Sequence, residues 1–401
     1  MGRRFASAGA VLRHRRRLVV IAAAAVCGVL WLAPSGPAES NSDGTVYVQT
    51  NTAPVNYVLA FGRSHDGTLG APVRYATLGV GKPANNPPLG IPFLDSSGSV
   101  TLSDNGQFLF VVNAGDNTVS SFRVGPHGLE LADIIPTFGS RPVSASSHDH
   151  LLYVLNSDTG DASISGYRVD EDGGLTPIAG SHRPTTQPVG GMPAQVQFDS
   201  TGRFLTVSER LAGPKGVIDT YAVGRDGSAG PPVGHPSSDN GPFGIAFTND
   251  DLMIVSNEHF PEVFPPGPVL SSVSSYDFSR GGTVTPIDTE LAHAGGACWN
   301  AITNDGKFVF VTSPFTHNVN SFAIKKNGNL VPVNGNSVVA TTTGLALDEA
   351  LSHDSKYLYV LDSAGFASSA VDEYKVGKDG TITKIGTSAS FEGSAAGAAG
   401  W

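Results

Sequence analysis

Seven copies of one pattern of about fifty residues fill this chain and constrain its fold more than any other feature. Each copy contains an apolar strand-like run, a variable loop, an aromatic residue and a short polar turn that usually ends in glycine. The aromatic residues are Phe61, Phe122, Tyr167, Tyr221, Tyr276, Phe322 and Tyr374. They are separated by 61, 45, 54, 55, 46 and 52 residues. A period of this length with several short strands per copy predicts an all-β, seven-bladed β-propeller.

Each copy is predicted to form one blade of four antiparallel strands. In the second copy, the turn Asp104-Asn105-Gly106 separates strand-like runs at 98–103 and 108–112. Asp or Asn followed by Gly between such runs is a strong hairpin signal, because Gly accepts the positive φ that these turns require. With 49 Gly, 27 Pro and 15% charged residues, the composition agrees with an all-β chain rich in turns.

The first copy lacks its first strand, since it begins at a second-strand equivalent formed by residues 46–48. The missing strand must come from elsewhere, and the tail at 395–401 is the candidate. A ring closed by strands from both termini has no open edge that invites aggregation. We therefore predict ring closure by the C-terminal strand. The alternative for this Gly- and Ala-rich tail is a disordered end.

Residues 1–38 are predicted to lie outside the propeller, which then occupies residues 39–401. The segment starts with six arginines and continues with an uninterrupted apolar stretch of 16 residues at 18–33. This order is typical of a secretory signal, and the stretch is short for a membrane span, which needs roughly 20 residues. The segment is therefore a signal peptide or, if uncleaved, an N-terminal membrane anchor. The predicted location is secreted, periplasmic or cell envelope.

The charge of the remaining chain limits the partners that it can bind. Without the six arginines, 19 basic and 35 acidic side chains remain, a formal charge of −16. An acidic body repels phosphate backbones, so no nucleic acid partner is predicted. We expect a small-molecule ligand, a membrane contact only through an uncleaved anchor, and a monomer, since nothing in the sequence indicates oligomerisation.

Two groups of residues are predicted to meet at one mouth of the central channel. In a propeller blade the first strand lines the channel, and it starts at the face that carries the second-to-third strand loops. The residues that start the inner strands are Arg141, Gln195, Phe243, Trp299 and Asp348. The residues that end the second strands are Asn113, Asn156, Glu209, Arg210, Asn257, Glu258, His259, Ser313 and Asp362.

The residue types in these groups separate structural from functional candidates. Asn at a strand end often satisfies the backbone groups of a turn, and that interpretation is favoured for Asn113 and Asn156 over ligand binding. Glu is a poor turn residue, so Glu209 and Glu258 are candidates for function. Arg141 either pairs with a neighbouring Glu or binds a substrate carboxylate.

The repeats resemble the seven-bladed lactonase propeller family, which includes 6-phosphogluconolactonase and carboxymuconate-cyclising enzymes. The matching segments are 102–106, 109–113, 121–124, Arg141-Pro142, Ala297-Cys298-Trp299 and the Gly-Ala-Ala-Gly ending. Family members proposed to be catalytic use a His at an inner-strand start, with Arg and Glu in the channel mouth. The resemblance places Glu209 in the Glu slot, Arg141 or Arg210 in the Arg slot, and Gln195 where the His would stand.

Two functions from different classes follow. A secreted lactonase-like enzyme would hydrolyse or form a lactone of a sugar acid or an aromatic-degradation product. It would use Glu209 as base and Arg141, Arg210 and Gln195 as donors to the oxyanion. The candidate ligand-binding residues are Glu258, Trp299, Asn113, Asn156 and Asp348.

The alternative is a non-catalytic ligand-binding or cell-envelope interaction propeller, which would explain the missing His and the proline-rich loop at 259–272. Because no short-spaced ligand motif is present, no metal and no cofactor is predicted.

Overall fold

The computed structural model describes residues 43–82, 94–158, 160–259, 271–364, 368–393 and 395–401. The predicted signal or anchor segment at 1–38 and most of the proline-rich loop at 259–272 lie outside the described residues. The chain divides after Gly36 into two units, and the second, Pro37–Trp401, contains the propeller. Within the described ranges, no helix has the length and apolar character needed to cross a membrane.

The described strands form seven antiparallel sheets, one for each blade. Blades 1 and 2 contain β1 (Gly44–Gln49), β2 (Tyr57–Arg63), β3 (Val73–Ala76), β4 (Val100–Leu102), β5 (Phe108–Asn113), β6 (Thr118–Gly125) and β7 (Gly128–Pro136). Blades 3 and 4 contain β8 (Pro142–His148), β9 (Leu151–Asn156), β10 (Ser163–Val169), β11 (Leu175–Pro177), β12 (Arg183–Pro184), β13 (Pro193–Phe198), β14 (Phe204–Glu209), β15 (Val217–Ala222) and β16 (Val233–Pro236).

The remaining blades follow the same order from the centre outwards. Blades 5 and 6 contain β17 (Pro242–Phe247), β18 (Leu252–Asn257), β19 (Ser272–Phe278), β20 (Val284–Leu291), β21 (Asn300–Ile302), β22 (Phe308–Ser313), β23 (Asn318–Ile324), β24 (Leu330–Pro332) and β25 (Val338–Thr341). Blade 7 contains β26 (Leu345–Leu351), β27 (Tyr357–Ser363), β28 (Ser368–Val376), β29 (Ile382–Thr387) and β30 (Phe391–Glu392), and β31 (Ala398–Gly400) ends the chain. Short 3-10 helices lie at Pro314–Thr316 and Val333–Gly335.

The ring is closed by the C-terminal strand, as predicted. The innermost strands β31, β4, β8, β13, β17, β21 and β26 contact one another in sequence around the channel. Strand β31 pairs antiparallel with β1 in blade 1, with Val46 opposite Gly400 and Val48 opposite Ala398. A Cβ at Gly400 would clash with the carbonyl of Leu351 in the adjacent blade. The Gly- and Ala-rich composition of the tail is therefore a packing requirement.

The repeated aromatic residues hold neighbouring blades together. All seven lie on the third strand of their blade and are at most 1% exposed. In blades 3 and 4 the residue is Tyr, and its hydroxyl also finds a partner in the preceding blade. Tyr167 donates to the carbonyl of Pro136 at 2.9 Å and Tyr221 to that of Pro184 at 3.1 Å. The large apolar ring and the polar tip both stabilise the contact between blades.

The glycine that ends each polar turn packs against the preceding blade. Gly173 has a φ of 83°, and a Cβ there would lie 2.9 Å from the Phe108 ring. Gly380 has a φ of 81°, and a Cβ there would clash with the ring of Phe308. Only glycine meets both demands, the left-handed backbone and the close approach, which explains why glycine recurs at this place in the repeat.

Candidate functional site at the channel mouth

The start of an inner strand lies opposite the end of the second strand in the same blade. Pro142 pairs with Asn156 in blade 3, and Pro242 pairs with Asn257 in blade 5. A register shift follows at each of these starts, and irregularities of this kind re-aim side chains. The two groups of residues predicted to share one mouth of the channel therefore lie at the same end of the blades.

The Arg210 guanidinium, directly after β14, forms the centre of the mouth. Its Nη2 lies 2.8 Å from the Asp95 carboxylate and its Nη1 lies 3.1 Å from the Glu258 carboxylate. Its Nε donates to the carbonyl of Met192 at 3.1 Å. All three charged side chains are at most 5% exposed. Charges buried this deeply require pairing, and here the partners come from three separate segments of the chain.

The pKa values of this cluster place one titratable carboxyl near neutral pH. Burial raises the pKa of Glu258 to about 7, while Arg210 opposes and Asp95 reinforces the rise. Burial alone would lower the pKa of Arg210, but the two carboxylates raise that pKa above its usual range. Arg210 therefore stays charged, and Glu258 can gain or lose a proton near pH 7. That property is what a general acid or base requires.

An aromatic wall flanks the guanidinium. The Phe243 and Trp299 rings meet edge to face with their centroids 5.2 Å apart, and the Arg210 guanidinium lies 5.3 Å from the centroid of Phe243. Beside them, the Sγ of Cys298 lies 3.8 Å from the Glu258 carboxylate. Burial raises the pKa of the Cys298 thiol well above its usual value. The thiol therefore stays protonated and is a poor nucleophile.

Arg141 is a second buried cation at the same mouth. Its φ of 56° lies in the left-handed region, and Nη1 and Nη2 donate to the carbonyls of Ser157 and Leu94, both at 3.0 Å. Among the described residues, its buried Nε has no hydrogen-bond partner and no carboxylate forms an ion pair with it. Burial lowers the pKa of Arg141 to about 10. A buried cation bonded to carbonyls alone is suited to receive an anionic ligand.

The structure does not bring Glu209 into this cluster. Its carboxylate accepts hydrogen bonds from the Thr186 hydroxyl at 2.7 Å and from the Gln187 amide at 3.1 Å. The Thr186 hydroxyl also lies 2.6 Å from Asp219, whose pKa is raised to about 7 by burial and by the nearby Glu209. One hydroxyl hydrogen serves only one carboxylate, so the other contact needs a proton on a carboxyl, and the raised pKa of Asp219 favours that residue as the one that holds it. Glu209 thus fixes the loop that enters blade 4.

Two other strand-end residues, Asn113 and Asn156, have the same structural role. The Asn113 Oδ1 accepts hydrogen bonds from Asn56 and Thr77, both at 2.9 Å. The Asn156 Nδ2 donates to the carbonyl of Thr137 at 3.3 Å. Each side chain therefore fixes the connection from the preceding blade.

Gln195 and Asp348 also make contacts between blades. The Gln195 amide accepts from the Ile245 N–H at 2.7 Å and donates to the Ile245 carbonyl at 3.0 Å and to Gln197 at 3.2 Å. Both of its N–H groups are therefore used. The Asp348 carboxylate accepts from the Ala398 amide of the closing strand at 3.2 Å, and burial raises its pKa to about 7.

One group of potential metal ligands lies at the other end of the blades. Among the described residues, ligand atoms of Asp104, His148 and Asp149 lie within 4.8 Å of one another. Asp104 and Asp149 lie in the first-to-second strand turns of blades 2 and 3, and His148 ends β8. His148 Nδ1 lies 3.2 Å from Asp104. This group is not part of the channel mouth.

The sequence prediction missed Asp95, which lies in the connection between blades 1 and 2. The available signal was the spacing of 61 residues between Phe61 and Phe122, the longest of the six. That spacing indicates an insertion, but it does not indicate which inserted residue reaches the mouth.

The fold and this cluster define a seven-bladed β-propeller with a buried, charged site at one mouth of its channel. The family model described as Lactonase, 7-bladed beta-propeller matches residues 56–190. This match confirms the resemblance to the lactonase propellers that the repeats predicted.

Solved structures share the fold. A candidate 6-phosphogluconolactonase from Bacteroides fragilis has a TM-score of 0.66 and 17% identity, over 91% of this chain and 100% of its own. The periplasmic gluconolactonase of Pseudomonas aeruginosa has a TM-score of 0.68 and 18% identity, over 89% and 98%. A hypothetical selenium-binding protein from Sulfolobus tokodaii has a TM-score of 0.63 and 10% identity, over 90% and 94%. These identities establish the fold alone, and no curated protein matches the chain.

Proposed function

We propose that this protein is an exported enzyme that hydrolyses or forms a lactone of a small sugar acid or aromatic-degradation product. The observation that carries the proposal is the Glu258–Arg210 pair beside Arg141 at the channel mouth. A carboxyl that titrates near pH 7 and pairs with one guanidinium supplies a general base, and the second guanidinium at the same mouth supplies donors for an oxyanion.

Hydrolysis of a lactone adds water to the ring carbonyl and opens the ring C–O bond. In the proposed mechanism the Glu258 carboxylate takes a proton from water as the water oxygen attacks the carbonyl carbon. The Arg141 guanidinium stabilises the resulting oxyanion. The tetrahedral intermediate then collapses, and the ring oxygen leaves with the proton from Glu258 as the hydroxyl of the product acid. The reverse sequence forms a lactone from the hydroxy acid.

This mechanism uses Glu258 as base rather than Glu209, the residue predicted from the sequence. The Glu209 carboxylate is bonded to Thr186 and Gln187 in a loop between blades. Gln195 is omitted as an oxyanion donor, because both of its N–H groups are already donated to protein oxygens.

The charges at the mouth favour a ligand without a phosphate group. Arg210 pairs with the carboxylates of Asp95 and Glu258, and Asp95 also acts electrostatically on Arg141. The two carboxylates therefore offset the two guanidinium groups and leave no surplus of positive charge for a phosphate dianion. A sugar acid or aromatic acid carries one carboxylate, which one guanidinium balances.

Export is proposed from the arginine-rich start and the apolar stretch at 18–33. The periplasmic location of the gluconolactonase neighbour supports it. An exported enzyme meets few phosphorylated sugars, which remain in the cytosol, so export and the charge balance at the mouth favour the same class of ligand. Fractionation of cells that express the full chain tests the location.

Hydrolysis of a panel of neutral sugar lactones and aromatic-derived lactones by purified residues 39–401 tests the activity. Loss of a general base lowers turnover by roughly 10²–10⁴-fold, and we expect a loss of that size in Glu258→Gln. Glu209→Gln is the matched control, because Gln keeps an acceptor for Thr186, and we expect most activity to remain. Equal losses in both variants would contradict the assignment of the base. Absence of turnover of any of these lactones by folded wild-type protein would contradict the proposed enzymatic activity.

The second candidate function is a ligand-binding propeller without catalysis. Two observations favour it: Asp95 occupies the Arg210 guanidinium, and Gln195 in the expected His slot is bonded to Ile245. Binding of a sugar acid without turnover of its lactone would support this alternative.

A further inference from the structure

Residues 94–97 lie across the site, although no repeat requires them there. Asp95 pairs with Arg210 of blade 4 at 2.8 Å. The Ser96 hydroxyl donates to the carbonyl of Val143 in blade 3 at 2.7 Å. The Trp299 Nε1, next to the inner strand of blade 6, donates to the carbonyl of Ser96 at 2.8 Å. Four consecutive residues therefore reach blades 3, 4 and 6, and blade 6 adjoins neither of the other two around the channel.

The segment is held by polar contacts and is buried. The Ser97 amide donates to the carbonyl of Ala194 at 3.1 Å, and residues 94–97 are at most 7% exposed. Asp95 has a φ of 62°, a conformation that a residue other than glycine adopts when its surroundings hold it there. The contacts of the segment therefore place the Asp95 carboxylate on the guanidinium.

We infer that residues 94–97 form an intramolecular plug, in which the Asp95 carboxylate occupies the position on Arg210 that the carboxylate of a hydroxy acid takes on binding. The inference rests on the ligand class of the proposed function, but it does not depend on turnover. A carboxylate makes the same charge-assisted contact with a guanidinium whether it belongs to the chain or to a free molecule. An acidic ligand therefore binds by displacing Asp95.

The plug also engages the donors that surround Arg210. The Nη2 of Arg141 donates to the carbonyl of Leu94, and the Nε1 of Trp299 donates to the carbonyl of Ser96. A hydroxy acid that replaces the plug offers hydroxyl and carboxyl oxygens to the same two donors. The plug thus sets the affinity of the site and selects acids over uncharged polyols, since only an acid replaces the contact of Asp95 with Arg210.

Calorimetric titration of residues 39–401 with D-gluconate, an acid, and glucitol, its uncharged counterpart, tests the plug. A plug that occupies Arg210 nine-tenths of the time reduces the apparent affinity about tenfold. We therefore expect Asp95→Asn to bind gluconate about tenfold more tightly than wild type, and we expect both proteins to bind gluconate more tightly than glucitol. Asp116→Asn removes an equal charge from an exposed residue in the β5–β6 loop at the same face. This control is expected to leave both affinities unchanged.

Unchanged or weaker gluconate binding by folded Asp95→Asn overturns the inference, as does failure of every variant to bind gluconate at millimolar concentration. Tighter binding by Asp95→Asn without turnover of the lactone would exclude the enzyme and leave the plug supported. If Asp95→Asn does not fold, Ser96→Ala removes only the hydroxyl bond to Val143. Ser96→Ala must then bind gluconate more tightly than wild type. Gluconate must also shift the fluorescence emission of Trp299, measured in a protein that carries Trp401→Phe. Failure of either result excludes the plug.

Discussion

Replacing Arg210 by Met tests whether the buried charges hold the channel mouth together. Met keeps most of the side-chain length but removes the cation, so Asp95 and Glu258 lose their shared partner. Both carboxylate side chains are only 5% exposed, so water cannot readily replace the guanidinium. Removing one partner of a buried ion pair costs about 3–5 kcal/mol. We expect Arg210→Met to lower the free energy of unfolding by that amount at about pH 7.5.

The loss is expected to be smaller at low pH. Burial raises the pKa of Glu258 to about 7 and Arg210 opposes the rise, so removing Arg210 raises that pKa further. A carboxyl whose pKa is raised by folding stabilises the folded state at low pH, and this contribution is lost as the pH rises through the folded pKa. At about pH 5 the Glu258 carboxyl of Arg210→Met is protonated, and the variant therefore leaves less buried charge unpaired.

Urea unfolding of residues 39–401 at both pH values measures the effect. Arg203→Met is the matched control, because Arg203 is exposed and surface substitutions usually change stability by less than about 0.5 kcal/mol. Adding Glu258→Gln to Arg210→Met removes one of the two unpaired charges and is expected to restore part of the loss. Wild-type stability of Arg210→Met at about pH 7.5, or a loss that is the same at both pH values, would refute a buried ionised cluster.

Three further perturbations test the scaffold that positions the site. Gly380→Ala forces a Cβ against the Phe308 ring. We expect this overpacking to lower the free energy of unfolding by about 1–3 kcal/mol more than Gly180→Ala does. Gly180 also has positive φ, but its Cβ would have open space among the described residues, and thermal unfolding compares the two variants. Asp348→Asn removes a carboxyl whose pKa is raised from 3.8 to about 7. Because its pKa is raised by folding, this carboxyl stabilises the fold less as the pH rises from about 4 to about 7. The slope of unfolding free energy against pH should change there by up to about 1.4 kcal/mol per pH unit. Deletion of residues 392–401 removes β31 and exposes the edge of blade 1. We therefore expect unfolding at a lower urea concentration and aggregation in light scattering, and wild-type behaviour would contradict ring closure by this strand.

The fold could be predicted because each copy of the repeat places the same residue types where a blade must pack against its neighbour. The aromatic residue of every copy is buried between blades, and glycine recurs where a turn meets the neighbouring blade. Ring closure followed from counting strands, since the run at 46–48 had no inner partner within its own copy. Strand β31 now pairs with that run.

The candidate site could be predicted only in part, because residues that adjoin in sequence point in different directions. Glu209 and Arg210 both stand at the end of β14, but successive strand residues face opposite sides. Glu209 therefore contacts Thr186, whereas Arg210 contacts Glu258. Asp95 lies outside the repeat, where periodicity makes no prediction, and its position depends on how the long connection folds across the mouth.

The repeat itself provides a criterion for separating scaffold from function. The position directly after the aligned residues Asn113, Asn156, Ser313 and Asp362 carries Ala114, Ser157, Pro314 and Ser363 in blades 2, 3, 6 and 7. The same position carries Arg210 and Glu258 in blades 4 and 5. Small or neutral residues suffice to build a blade at this position, so the two charges serve another purpose. Because blades 4 and 5 are adjacent, their charges meet at 3.1 Å. Glu209 fails the same criterion, because Asn113, Asn156 and Asp362 fill its position in other blades and likewise bind the entering loop or the preceding connection.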